Sequence, residues 1–124
     1  MWTFQISHGV LRHDDVIQCR TCYSGYGADA NQPADESIKD LGPLPEGGYT
    51  IGTPIDLEGG PHGPYVLPLT PNDGHPMYGR SGFACHGDRT DGSVHLASHG
   101  CLIAPRATRE QIGQSGDNQL EVIA

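Results

Sequence analysis

Apolar and polar residues alternate at the start of the chain. Trp2, Phe4 and Ile6 are separated by single polar residues, and this period of two is typical of a β-strand with one buried face. A second extended run covers residues 16–23 and follows the polar residues 13–15. We predict that the two runs form a hairpin that opens the domain.

Later segments predict short strands that are joined by turns. Residues 24–40 are rich in Gly, Ala, Asn, Asp and Pro and predict a long surface loop with at best one helical turn near 36–39. The Pro- and Gly-dense residues 42–48 predict a turn, after which a strand begins at Tyr49. The further predicted elements are strands at 65–69, 81–86 and 120–123 and a helix at 105–112, with Pro near its first turn and Gly113 near its end. The chain is therefore expected to be mainly β, with one short helix.

Composition limits the classes of function. The length of 124 residues suits one domain spanning 1–124. The 18 Gly and 10 Pro are interleaved with apolar residues, which indicates short strands joined by turns. The formal net charge of −8 gives no basic footprint for nucleic acid. Apolar stretches are only a few residues long, so we expect no membrane span, and residues 1–12 lack the features of a signal peptide.

Two histidines and a thiol lie within sixteen residues, from His86 to Cys101. A cysteine nucleophile needs a base to remove its proton, and His86 can supply it if the intervening loop folds back. Gly100 leaves room for substrate near the backbone amides that could form an oxyanion hole. In an extended segment His99 and Cys101 would share one face, whereas Cys85 would point away from His86 into the core.

These residues resemble the signature of the L,D-transpeptidase catalytic domain family, the YkuD-like enzymes. That signature is a His, a gap, and then Ser/Thr-His-Gly-Cys, which Ser98, His99, Gly100 and Cys101 match after His86 and Gly87. The wider pattern is similar to the branch found among type VI secretion effectors. It includes the segments 22–25, 31–33, 42–52, 79–83 and 86–88.

The resemblance implies an L,D-transpeptidase-like β-sandwich whose helix follows the catalytic cysteine. It also implies acyl transfer on peptidoglycan tetrapeptide stems, as L,D-carboxypeptidase or L,D-transpeptidase activity, without a cofactor or metal. Cys101 would be the nucleophile and His86 the base, with the Gly87 carbonyl orienting its ring and His99 shaping the site. Candidate substrate-binding residues are Ser98, Gly100, Tyr23, Arg80 and Arg109.

One departure concerns position 103, where many family members carry Asn or Arg and this chain has Ile103. If an arginine binds a substrate carboxylate, Arg80, Arg106 or Arg109 must supply it. The resemblance further implies an antibacterial toxin that is secreted without a signal peptide and acts in the periplasm of a target bacterium. Its expected partners are the peptidoglycan stem peptide, a periplasmic immunity protein and a type VI delivery protein.

A different class of function is suggested by Cys19 and Cys22. This Cys-x-x-Cys pair could bind a metal with two later His or Cys residues, which would make the chain a Cys/His metal-binding interaction module. The pair could also pack structurally or form a disulfide. A papain-like or NlpC-type cysteine peptidase is disfavoured, since those enzymes place the cysteine ahead of the histidine and here His86 comes first.

Overall fold

The computed structural model describes residues 1–56 and 63–124, and this part of the chain is mainly β, as predicted. The described residues form nine strands, one α-helix and three short 3-10 turns. The strands are β1 (Trp2–Gln5), β2 (Val10–His13), β3 (Val16–Cys19), β4 (Tyr23–Ser24), β5 (Gly47–Ile51), β6 (Leu67–Pro71), β7 (Ala84–His86), β8 (Leu102–Ile103) and β9 (Gln119–Ile123). The helix α1 (Arg106–Gln114) follows Cys101, which confirms its predicted place.

The strands join into one curled sheet in the order β3-β2-β1-β9-β5-β6-β7-β8-β4. Strand β1 pairs antiparallel with β2 and parallel with β9, so the last strand lies between β1 and β5. Strands β7 and β8 also run parallel, and the connection between them must therefore cross over. This crossover contains the loop that separates His86 from Cys101.

The core follows from the alternation along each strand. Trp2 and Phe4 of β1 are fully buried and lie opposite Leu120 and Val122 of β9, which are also buried. Cross-strand partners point to the same face of a sheet, so these side chains form one apolar surface. Burying a side chain of this kind stabilises the fold by about 1.5–3 kcal/mol relative to its exposure.

The predicted opening hairpin is wrong in its pairing. β3 pairs with β2, a strand that the sequence analysis did not identify, and β1 pairs with β2 and β9. The turn between β2 and β3 holds Asp14 and Asp15 at φ 48° and 68°. Two consecutive residues at positive φ are the mark of a type I′ hairpin turn, which Asp tolerates better than most residues. Residues 14 and 15 thus identify the true hairpin.

The remaining boundaries differ from prediction by a few residues. The loop at 24–40 contains 3-10 turns at Gly27–Asp29 and Pro33–Asp35, and no helical turn at 36–39, because Pro33 favours the first position of a turn. Strand β5 begins at Gly47 instead of Tyr49, and β6 and β7 begin later than predicted. Pro105 precedes the helix as its N-cap residue. Across residues 1–56 and 63–124, no helix has the length and apolarity needed to cross a bilayer.

Leu120→Ala tests the packing of β9. Leu120 is 3% exposed and the substitution should lower the free energy of unfolding by about 2–5 kcal/mol, because it leaves a cavity in the core. Ile123→Ala is the matched control in the same strand, since Ile123 is 38% exposed and should cost no more than about 1 kcal/mol. Urea unfolding followed by the fluorescence of Trp2 measures both changes. Equal losses for the two variants would contradict the described register.

Candidate active site

His86 and Cys101 are brought together by the parallel pairing of β7 and β8. Cys85 lies opposite Leu102 and His86 opposite Ile103, so Cys101 lies beside Ala84. Cys85 and Leu102 are each 1% exposed and face the core, as predicted for Cys85. Alternation then turns His86 and Cys101 to the other face of the sheet, with their Cα atoms about 8 Å apart by strand spacing. Two side chains at this separation can meet.

The imidazole of His86 is held by the next residue. Its Nδ1 lies 2.9 Å from the carbonyl oxygen of Gly87, and the side chain is almost completely buried. A hydrogen bond to a carbonyl places the proton of a neutral imidazole on Nδ1, which leaves Nε2 as the basic nitrogen. The contact between His86 and Gly87 thus selects the tautomer that a general base requires.

The thiol of Cys101 is protonated near neutral pH. Burial raises its pKa, and the hydrogen bond from the Ala84 N–H and the charge of Arg80 lower it by less, so that the pKa stays above its ordinary value. A thiol of this kind is a weak nucleophile until a base removes its proton. Reaction at this sulfur therefore depends on a partner such as His86.

Gly100 has no room for a side chain. Its φ is +131°, and a Cβ built on it would lie 2.5 Å from Cε1 of Phe83 and 2.6 Å from Nη2 of Arg80. Only glycine meets both conditions without strain. The residue before the thiol is thus fixed by backbone conformation and by close packing against two side chains.

Ser98 braces the segment that carries the thiol. Its side chain is fully buried, and Oγ accepts hydrogen bonds from the N–H groups of Gly25 (2.9 Å) and Gly100 (3.1 Å). The hydroxyl donates to the carbonyl of Cys101 at 2.5 Å. One hydroxyl therefore holds both ends of residues 98–101 and joins them to the loop after β4.

His99 is tied to the loop at 24–40. Its Nδ1 lies 2.9 Å from the carbonyl oxygen of Asp40, and its ring stacks on Tyr26 with centroids 4.8 Å apart. His99, Arg80 and Phe83 are among the residues that line a cavity of about 150 Å³. Gly100, which packs against Arg80 and Phe83, lies between this cavity and Cys101.

The guanidinium of Arg80 is committed to backbone carbonyls. Nη1 donates to Glu36 (2.5 Å) and Pro43 (2.7 Å), and Nη2 donates to Gly42 (2.9 Å) and His99 (3.3 Å). Burial lowers the pKa of Arg80, although a guanidinium stays charged. Arg80 thus holds the loop before β5 against the segment that leads to Cys101.

Arg109 of α1 makes equivalent contacts on the other side of the site. Nε donates to Ala104 (3.0 Å), and Nη1 donates to Pro64 and Tyr65 (2.8 Å each). Nη2 lies where a side chain on Gly87 would be, since a Cβ there would approach it to 2.8 Å. Arg106, by contrast, is half exposed and pairs with Glu110 at 2.7 Å.

Tyr23 clamps the crossover loop. Its hydroxyl donates to Oδ1 of Asp88 at 2.7 Å and accepts from the N–H of Ala97 at 3.1 Å. Asp88 stands near the start of the loop and Ala97 at its end, so one side chain from β4 fixes both ends. Tyr23 is predicted from the sequence to contact substrate, whereas Asp88 is not among the predicted site residues and its one signal is its place directly after His86 and Gly87.

A second cavity, of about 370 Å³, borders the Gly87 side of the site. Its lining includes Gly87, Asp88, Ile103, Arg106 and Arg109. The lining thus includes the carboxylate of Asp88, which accepts from Tyr23, and the guanidinium of Arg106, which pairs with Glu110. The site is therefore flanked by one cavity near His99 and one near Gly87.

Metal ligands do not gather around the Cys-x-x-Cys pair within the described residues. The one group of three or more His, Cys, Asp or Glu ligand atoms found there is His13, Asp14 and Asp117. The ammonium group of Met1 lies 2.6 Å from a carboxylate oxygen of each aspartate, which satisfies them without a cation. The described residues give no support to the metal-binding module.

Comparison with known proteins identifies both a family and a fold. The Tlde1 domain profile matches residues 19–122. No curated protein is significantly similar in sequence. Among solved structures, the helical cell shape determining protein Pgp2 from Campylobacter jejuni is 20% identical with a TM-score of 0.59, and its K307A mutant is 20% identical with a TM-score of 0.62. Ldtfm, solved as its avibactam carbamoyl enzyme, is 13% identical with a TM-score of 0.56.

The structural matches cover 98% of this chain with Pgp2 and its mutant and 99% with Ldtfm. They cover only 46% of Pgp2, 45% of its mutant and 48% of Ldtfm, so the chain spans less than half the length of these proteins. At these identities the similarity is one of fold. The L,D-transpeptidase-like fold expected from the sequence is confirmed.

Gly100→Ala tests the packing that fixes the thiol segment. The new Cβ meets both a left-handed backbone and the side chains of Arg80 and Phe83, so the free energy of unfolding should fall by about 2–5 kcal/mol. Gly82→Ala is the matched control, because Gly82 also has a positive φ (+79°) but has open space at Cβ, and it should cost about 1–2 kcal/mol. Urea unfolding compares them. A Gly100 variant as stable as the Gly82 variant would rule out the described contacts.

The raised pKa of Cys101 predicts how its alkylation depends on pH. Because the folded thiol ionises above the ordinary value of about 8.5, its labelling by iodoacetamide should be slow at pH 7 and rise with a midpoint above that value. The same residue in the urea-unfolded chain is the control. Peptide mapping by mass spectrometry follows Cys101 alone. If labelling is already fast at pH 6 and does not rise at higher pH, Cys101 is a preformed thiolate, which would contradict the raised pKa.

Proposed function

This chain belongs to the Tlde1 domain family, a family of type VI secretion L,D-transpeptidase effectors, and from that premise we propose that it is an enzyme acting on peptidoglycan stem peptides through Cys101 and His86. The observation that carries the proposal is the shared face of β7 and β8, on which the basic nitrogen of one residue can reach the thiol of the other. Family membership supports the substrate class, and the site geometry supports the chemistry.

The first step is acylation. Nε2 of His86 removes the thiol proton as the sulfur of Cys101 attacks the carbonyl on the L-centre of meso-diaminopimelate in a tetrapeptide stem. The tetrahedral intermediate collapses when the imidazolium returns this proton to the amine of D-alanine, which leaves. The product is a thioester on Cys101, and the imidazole is neutral again.

The second step depends on the acceptor. Water gives L,D-carboxypeptidase activity, a free D-amino acid gives exchange, and the amine of a second stem gives a cross-link. In each case His86 removes a proton from the acceptor and returns it to the sulfur when the thioester breaks. The neutral thiol in the free site favours this general-base route over a standing thiolate–imidazolium pair.

Two of the backbone amides near Cys101 already have acceptors, which leaves few that could stabilise an oxyanion. The N–H of Gly100 donates to Ser98, and the N–H of Ala84 donates to the sulfur of Cys101. The amide of Cys101 is then the nearest candidate donor to the developing oxyanion. Ser98, Arg80, Arg109 and Tyr23 act in this proposal as braces for the site, and His99 shapes the approach from the cavity of about 150 Å³.

Family membership also supports a biological setting. As a type VI effector, the protein would be delivered by a type VI secretion protein into the periplasm of a rival bacterium and act there as an antibacterial toxin. An immunity protein in the producer's periplasm would bind it and block the site. The peptidoglycan stem peptide would be its substrate.

Incubation with disaccharide tetrapeptide, followed by mass spectrometry, tests the proposed activity. We expect loss of one D-alanine, and exchange products when a free D-amino acid is added. Cys101→Ala should lower the rate by about 10³-fold or more, and His86→Gln by about 10²–10⁴-fold, because each removes a reacting group.

Cys85→Ala is the matched control, since this thiol faces the core one residue from His86 and should leave the rate nearly unchanged. A wild-type protein that is inert with water, D-amino acid and stem acceptors would overturn the proposed enzyme.

A further inference from the structure

The Cys19–Cys22 pair is not used by the proposed reaction. Cys19 is the last residue of β3, and Cys22 stands directly before β4. Both thiols are free in this structure, the first half-buried and the second buried. Two thiols that are three residues apart and have no catalytic task call for another explanation.

Both cysteines contact the same hydrophobic core. Cys19 is paired with Leu11, and the N–H of Cys22 donates to the carbonyl of Gly9 at 3.1 Å. Strand β3 ends at Cys19, and the chain reaches Cys22 through two residues that belong to no strand. Leu11 and Cys22 belong to one hydrophobic core and Cys19 packs against it, so both cysteines contact the same apolar region.

The close approach between the cysteine segment and the segment before β2 depends on Gly9. A Cβ on Gly9 would lie 2.4 Å from the carbonyl oxygen of Cys22, and φ of Gly9 is +63°. This close approach is therefore built into the fold, since a larger residue at position 9 would push the cysteine segment away.

The two thiols influence each other and differ in acidity. Each one shifts the pKa of the other, and the sulfur of Cys19 lies 3.3 Å from Oγ1 of Thr21. Burial acts to raise the pKa of Cys19, but hydrogen bonds from Thr21, Cys22 and Thr108 outweigh it and the pKa is lowered. Burial raises the pKa of Cys22 strongly. A reachable, more acidic thiol beside a buried one is the arrangement in which the first attacks and the second resolves.

We propose that Cys19 and Cys22 are an oxidation site, which an oxidant of the disulfide class converts into an intrachain disulfide. The thiolate of Cys19 attacks one sulfur of the oxidant, which releases one thiolate and leaves a mixed disulfide on Cys19. Cys22 loses its proton to the released thiolate and attacks the sulfur of Cys19, which releases the second thiolate. The pair loses two protons and two electrons, and the oxidant becomes two thiols.

The disulfide would stabilise the segment that supports the active site. Cys22 is followed by Tyr23, which clamps the crossover loop, and by Ser24, whose hydroxyl donates to the carbonyl of Gly100 at 2.8 Å. A covalent bond between Cys19 and Cys22 ties the start of this segment to the end of β3. Oxidation should therefore make the protein harder to unfold.

Glutathione disulfide is the probe, used on the full chain with Cys101→Ala so that the nucleophile does not interfere. We expect intact-mass spectrometry to show the loss of two hydrogens and peptide mapping to assign the disulfide to Cys19 and Cys22. The oxidised form should melt about 5 °C above the reduced form. Cys19→Ser should abolish the two-hydrogen loss, and Cys22→Ala should leave a stable glutathione adduct on Cys19.

Cys85→Ala is the matched control, because Cys85 is buried in the core, where burial raises its pKa to about 12, and its removal should leave oxidation unchanged. A wild-type pair that stays as two thiols would overturn the proposal, as would a stable glutathione adduct on Cys19 or a disulfide that involves Cys85. Should Cys22→Ala fail to fold, Cys19→Ser at a half-buried position still decides the question. None of these readouts uses peptidoglycan, so they are independent of the proposed enzyme activity.

Discussion

Parallel pairing between β7 and β8 is the constraint on which the site depends. Its register sets Cys85 against Leu102 and His86 against Ile103, and alternation then assigns the first pair to the core and places His86 and Cys101 on the opposite face of the sheet. A shift of one residue would bury Cys101 and expose Cys85. The apolar packing of Cys85 and Leu102 therefore does more than stabilise the sheet, because it also determines that Cys101, and not Cys85, shares a face with His86.

Most polar side chains around this pair serve the backbone. A parallel connection between β7 and β8 forces the chain through irregular loops, whose N–H and carbonyl groups are not paired by the sheet. Ser98, Arg80 and Arg109 supply those partners with one hydroxyl and two guanidinium groups. Among the residues described, every buried side-chain nitrogen and oxygen atom has a hydrogen-bond partner. The site is thus held by a shell of satisfied polar contacts.

Features that depend on residues close together in the sequence could be predicted from it. The alternation in β1 and β9, the helix after Pro105 and the inward direction of Cys85 follow from neighbours in the chain and agree with the structure. Strand β2 was missed because residues 10–13 do not alternate, since Val10 and Leu11 are both buried.

Roles that depend on long-range contacts could not be predicted. The bonds of Ser98 reach Gly25, those of Arg80 reach Glu36, and Tyr23 reaches Asp88, and no pattern near these residues in the sequence specifies such partners. The resemblance to a catalytic signature suggested that they contact substrate. The structure shows how each one holds a loop, and their contact with substrate stays a prediction.

The shared face of His86 and Cys101 is tested most directly by placing a charge on the sulfur. In the Cys19→Ser variant, alkylation of Cys101 with iodoacetate adds a carboxylate, whereas iodoacetamide adds a neutral group of nearly the same size. The account predicts that the imidazole ring resonances of His86, followed by NMR, differ between the two adducts, while those of distant His8 do not. Identical His86 resonances in both adducts would contradict the shared face.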